Sequence, residues 1–190
     1  FLVAGALEEK IVKETDKFFC ENGNYKVANR VIHEAQRKRH GTLTVREILK
    51  YSSNIGSAKI AQKMGKEKFY QYIQAFGFGS KTGVELPGES SGLVRPVKNW
   101  VPVDTATIAF GQGISVTAIQ LIAAFSAIAN NGVLMKPYIV RGVADQNNNL
   151  VKLYTPTIVH NVISPATAKR LTHMLTDVVG AEDGTGKNAR

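Results

Sequence analysis

The stretch KYSSNIGSAKIAQKMG, residues Lys50–Gly65, sets two serines and an asparagine between a run that ends in a tyrosine and a run with helical spacing. In the second run Ile55, Ala58, Ala61 and Met64 form an apolar stripe, Lys59, Gln62 and Lys63 are expected to face outward, and Gly65 suits a left-handed C-terminal cap. Short polar residues cap helix starts well, so Ser52, Ser53 or Asn54 could each do no more than accept a bond from a free N–H. If the turn instead faces a cleft, the Ser52 hydroxyl can both give and accept a proton. The Asn54 amide can then donate and accept at once, matching a peptide bond. Those are relay and positioning roles, and they need a nucleophile from elsewhere.

The flanks extend the helical reading. Thr44 is placed as an N-cap with Glu47 three residues on, so each can satisfy the other's free backbone N–H, and the helix they start should end near Tyr51. Phe69, Tyr72, Ile73 and Phe76 stripe a further helix, which predicts three packed helices from about Thr44 to Phe76. Glycines with Pro87 and Pro96 make residues 77–100 an ordered loop without long regular elements. Ile114 to Ala129 reads as a helix apolar on nearly every side, capped by Ser115 and belonging at the centre of a core. Two short β-type runs around Gln146–Asn149 read as a hairpin. Ser164 as cap and Pro165 as first residue open a last helix striped by Leu171, Met174, Leu175 and Val178, after which AEDGTGKNAR is polar and expected to be flexible.

With 44% apolar residues, 190 residues can bury the core of one soluble globular domain or a large piece of one. The net charge of +9 suits an anionic partner. The one basic cluster, QRKRH (Gln36–His40), has no aromatics interleaved for base stacking, which argues against nucleic acid. Cys20 stands alone, so neither an internal disulfide nor a thiolate zinc site can form, and it is expected to pack as a small apolar residue. His33, His40, His160 and His173 lack metal-ligand spacing, and Gly111, Gln112 and Gly113 read as a structural turn. The opening FLVAGALEEK has no basic n-region and resembles the back half of a helix, so the chain is expected to be a fragment.

The order S-x-N, then FGFGSKTGVELPGE, then FGQGISVTAIQLIAAFSAIANNGVLMKPYIV resembles the transpeptidase domain of class B penicillin-binding proteins over almost the whole chain, in details closer to the division-specific branch. That family uses S-x-x-K, S-x-N and K-T-G together. Only the second is present, as Ser52, Ser53 and Asn54: no serine here has a lysine three residues later. Lys81, Thr82 and Gly83 spell K-T-G, but they lie among loop glycines and prolines, whereas the catalytic triplet needs an extended edge strand. The resemblance places S-x-x-K just before Phe1 and the K-T-G strand just after DGTGKNAR, making residues 1–190 a partial domain truncated at both ends.

The resemblance further implies a mixed α/β (α+β) domain, of which this part is mainly α-helical with a short β-hairpin. It implies a serine D,D-transpeptidase that cross-links peptidoglycan stem peptides and is acylated by β-lactams, with Ser52 as proton relay and Asn54 holding the substrate. Ser53, Thr185 and Gly186 are candidates for lining the cleft. No metal or organic cofactor is implied. The implied partners are stem peptides, β-lactams and cell-wall synthesis or division proteins, and the implied place is the periplasmic face of the inner membrane, with the anchor outside these residues. The rival reading is a non-catalytic penicillin-binding or β-lactam sensor module.

Overall fold

The computed structural model describes residues 1–189. Thr44 and Glu47 start the fold's central segment: the Thr44 side chain accepts from Glu47 N, and the Glu47 carboxylate accepts from Thr44 N at 2.8 Å. This capping box opens α2 (Val45–Tyr51), which leads through the S-x-N turn into α3 (Asn54–Met64) and then α4 (Lys66–Ala75). The predicted stripe holds, with Ile55, Ala58 and Ala61 fully buried and Met64 nearly so. Gly65 departs from the expected left-handed cap, with φ 85° and ψ 146°, because it closes α3 and opens α4 in a single residue. Lys59 is half-buried rather than outward: its ammonium bonds the Phe19 carbonyl at 2.7 Å and lies 4.8 Å from the centre of the Tyr25 ring.

Around this segment pack α1 (Leu2–Glu8), α5 (Pro102–Ile108), α6 (Ala118–Ala129) and α7 (Pro165–Gly180). All but the last residue of α1 are buried, and it touches α3, α4 and α7, so it is the axis of the core. Gly56 lets α2 and α3 approach, since a Cβ there would stand 2.5 Å from the Ile48 side chain.

The strands are more numerous than the single predicted hairpin. β1 (Lys17–Phe19) pairs with β4 (Thr42–Thr44), enclosing the hairpin of β2 (Asn24–Val27) and β3 (Arg30–His33). β5 (Val133–Lys136) pairs with β8 (Thr157–Asn161), enclosing the predicted hairpin of β6 (Gly142–Ala144) and β7 (Leu150–Leu153). All four pairs are antiparallel. Strands of three to five residues offer too few alternations to stand out in the sequence.

Three further expectations are corrected. Ser115 does not cap α6: its N–H and carbonyl pair with Leu93 across the loop, and Thr117 caps the helix with Gln120 in a T-x-x-Q capping box. Nor does α6 lie at the core's centre. Ala124, Ala127 and Ile128 are buried, but Ile122 is 67% and Phe125 49% exposed, the Phe125 ring being covered in part by Phe1 at 5.0 Å. The tail after Gly180 is folded rather than loose, as described below. Ser164 and Pro165 open α7 as expected, and no described helix is long and apolar enough to cross a membrane.

Thr44→Ala should lower stability by about 0.5 to 2 kcal/mol in a chemical melt. The Thr44 backbone and side-chain bonds hold the Glu47 carboxyl below its ordinary value. A depressed folded value adds stability above the unfolded value, near 4.3, that is lost as pH falls through the folded one. Melting of the parent and Glu47→Gln should therefore differ at neutral pH and converge in acid.

Candidate active site

The two serines of the turn have separate duties. α2 ends with Ser53 N–H bonded to the Ile48 carbonyl at 3.0 Å, the six-to-one bond of a Schellman ending, which puts Ser52 in the left-handed region at φ 54° and ψ 48°. A non-glycine residue there is strained by about 1 to 2 kcal/mol. Ser52 is exposed. The cap of α3 is Ser53, whose Oγ accepts from Gly56 N at 2.9 Å and donates to Glu34 Oε1 at 2.6 Å. Ser53 is 1% exposed, so it does not line a cleft as expected: its hydroxyl is turned into the protein by these two bonds.

Asn54 is the first residue of α3. Its backbone N–H donates to Glu34 Oε2 at 2.7 Å and its Nδ2 to the His33 carbonyl at 2.9 Å. These bonds leave Oδ1 and the second amide hydrogen for another partner. Asn54 borders a cavity of about 430 Å³ with Arg30, His33, Thr107, Phe110 and Gln112. The turn at Gly111–Gly113, read as structural, thus also brings Gln112 to the cavity that Asn54 lines.

The tail reaches the same region from the other end of the chain. Thr185 Oγ1 donates to the Lys50 carbonyl at 3.0 Å, satisfying an acceptor of the last turn of α2 two residues before Ser52. Lys50 pairs with Asp183 at 2.5 Å and the Tyr51 hydroxyl donates to the same carboxylate at 2.8 Å, while His40 stacks on Tyr51 at 5.5 Å. The bond from Lys50, then that from Tyr51, holds the Asp183 carboxyl below the ordinary carboxylate range. Gly186 N–H bonds the Val178 carbonyl at 2.8 Å. Gly184 permits the fold-back, since a Cβ there would stand 2.4 Å from the Val178 carbonyl oxygen. Thr185 therefore stands beside the S-x-N turn, whereas Gly186 is bonded to α7.

Lys81–Gly83 lies outside this constellation. Glu89 accepts from Thr82 N and Thr82 Oγ1, both at 2.6 Å, and from Gly83 N at 3.0 Å, which closes a loop and uses the amides a substrate-aligning strand would offer. Glu34 and Asp183 are the organising residues that sequence reasoning missed. Both sit in polar stretches, and nothing local tells which carboxylate meets which distant donor.

The geometry defines a helix-rich mixed α/β domain that presents a Ser-x-Asn turn, with the serine outward and the asparagine at a cavity. The chain matches the penicillin binding protein transpeptidase domain over residues 1–190 and belongs to that family. It is 40% identical over 188 residues to stage V sporulation protein D of Bacillus subtilis, covering 98% of this chain and 29% of that protein. Among solved structures, the D,D-transpeptidase domain of a peptidoglycan glycosyltransferase from Eggerthella lenta superposes with TM-score 0.92 at 26% identity, covering all of this chain and 48% of that one. Penicillin-binding protein 3 of Mycobacterium tuberculosis, complexed with ampicillin, does so with TM-score 0.88 at 30% identity, covering all of this chain and 42% of its own. The chain thus spans less than half the length of these relatives.

Ser53→Ala should lower stability by about 1 to 3 kcal/mol, since it removes a helix cap and a donor to a buried carboxylate. Ser52→Ala should change it little, and Ser52→Gly should raise it by up to about 1 kcal/mol by relieving the left-handed strain. Denaturant melts of the three variants check the order.

Proposed function

We propose that these residues form one wall of the active site of a serine D,D-transpeptidase that cross-links peptidoglycan stem peptides and is acylated by β-lactams. The observation that carries the reading is the division of labour in the turn. Ser53 does the capping, so the Ser52 hydroxyl is exposed at a strained position without a capping duty. Strain of this kind clusters at functional sites. The ampicillin complex of the Mycobacterium tuberculosis relative supports the acyl chemistry.

In this reading a serine and a lysine of S-x-x-K, outside residues 1–190, supply nucleophile and base. The serine attacks the carbonyl between two terminal D-alanines, the lysine takes its proton, and backbone N–H groups hold the oxyanion. The C–N bond then breaks and the departing amine needs a proton. Ser52 passes it from the lysine, since a hydroxyl accepts and donates at once. Asn54, with Nδ2 committed to His33, presents Oδ1 to the ammonium of that lysine or to an N–H of the donor peptide. A K-T-G strand, also outside these residues, binds the substrate's carboxylate, and Thr185 lies on the approach to it. The reaction needs no metal or organic cofactor. The domain works at the outer face of the bacterial inner membrane, held by an anchor outside this chain, and its role lies nearer to division than to elongation, in company with other cell-wall synthesis proteins.

The 190-residue chain alone should form no covalent adduct with a labelled penicillin by intact mass. In a longer protein carrying the whole domain, Asn54→Ala should raise the acylation barrier by about 2 to 4 kcal/mol. Ser52→Ala should slow acylation by about 10² to 10⁴, and Lys81→Ala should leave it nearly unchanged. Equal rates for Ser52→Ala, Asn54→Ala and the parent would overturn the assignment.

A further inference from the structure

The S-x-N turn is held from beneath by a buried carboxylate that the mechanism does not use. Glu34 is 4% exposed and follows β3 directly. Its two oxygens accept from two consecutive residues, Oε1 from the Ser53 hydroxyl at 2.6 Å and Oε2 from the Asn54 N–H at 2.7 Å. The residue before it completes the grip, since the His33 carbonyl accepts from Asn54 Nδ2 at 2.9 Å. His33 is itself seated in the β2–β3 hairpin, opposite Asn24, with its Nδ1 2.9 Å from Asn24 Oδ1. The N-terminal end of α3, the positive end of its dipole, favours a negative charge where Glu34 lies.

We propose that Glu34 is a positioning residue for catalysis: by bridging Ser53 and Asn54 it fixes the Asn54 side chain with Nδ2 on His33 and Oδ1 free for the reacting groups. The inference rests on the S-x-N reading above. Two donors converge on Glu34, so it must present two acceptors. A glutamine offers one acceptor and one donor and would set its NH₂ against either the Ser53 hydroxyl or the Asn54 amide. Aspartate keeps both acceptors on a shorter reach.

The test uses the longer protein that carries the whole domain, with a labelled penicillin as probe, and measures its dissociation constant, its acylation rate constant and the protein's melting temperature. Glu34→Gln should lower the acylation constant by about 10²-fold, the effect of a small misplacement of a reacting group, while the dissociation constant holds. Glu34→Asp should recover part of that loss. On an Asn54→Ala background, Glu34→Gln should cost no more than about twofold further, because nothing is left to position. If Glu34→Gln does not fold, Glu34→Asp alone and with Asn54→Ala carries the same comparison. A fall in melting temperature with the acylation constant of the folded protein unchanged would overturn the proposal, as would full multiplication of the two losses in the double variant. If Asn54→Ala slows acylation and the Glu34 variants do not, this inference alone fails. If Asn54→Ala is itself silent, the S-x-N reading fails and takes this inference with it.

Discussion

One hydrogen-bonded junction organises the site: the Ser53 hydroxyl lies between Gly56 N and the Glu34 carboxylate at the start of α3. A helix start leaves N–H groups that must find acceptors when buried. Ser53 meets one and Glu34 meets another, at Asn54. Because Ser53 is drawn inward, its neighbours are set by the chain's geometry. Ser52 stands in the left-handed turn that ends α2, and Asn54 begins α3 beside a cavity. Removing the junction would leave a buried carboxylate and free helix N–H groups together, so the arrangement has few alternatives of comparable energy.

The rest of the molecule fixes where that junction sits. α1 runs through the core against α3, α4 and α7. α7 returns the chain to α2, where Arg46 bonds Asp177 at 2.5 Å and Thr185 caps the Lys50 carbonyl. Residues far apart in the chain, His33–Glu34 and Asp183–Thr185, thus converge on the same turn from two sides. Each contact adds only a little stability where it is solvent-exposed. What they supply together is position, which the proposed relay and substrate clamp need more than energy.

The two occurrences of family-like triplets show why spelling is insufficient. Lys81–Gly83 has the letters of a catalytic strand, yet Glu89 gathers three of its donors into a closed loop. Ser52–Asn54 has letters common at any helix start, yet its backbone turns the first serine out and the second in. In both cases backbone conformation and a distant carboxylate decide what the side chains can do.

The amino-acid order alone specified the local elements. The Thr44–Glu47 capping box, the Ile55–Met64 stripe, the Ser164–Pro165 start of α7 and the hairpin around Gln146–Asn149 follow from contacts within a few residues, and local propensity reads those. It also carried the family resemblance, through the order of its motifs. Packing in three dimensions decided which serine caps, that Glu34 and His33 hold Asn54, that the polar tail folds onto α2, and that α6 leaves Ile122 exposed. Those outcomes depend on pairings between residues 19 to 135 positions apart. A carboxylate in a polar stretch carries no mark of the distant hydroxyl that will meet it, and an apolar helix face carries none of what will cover it.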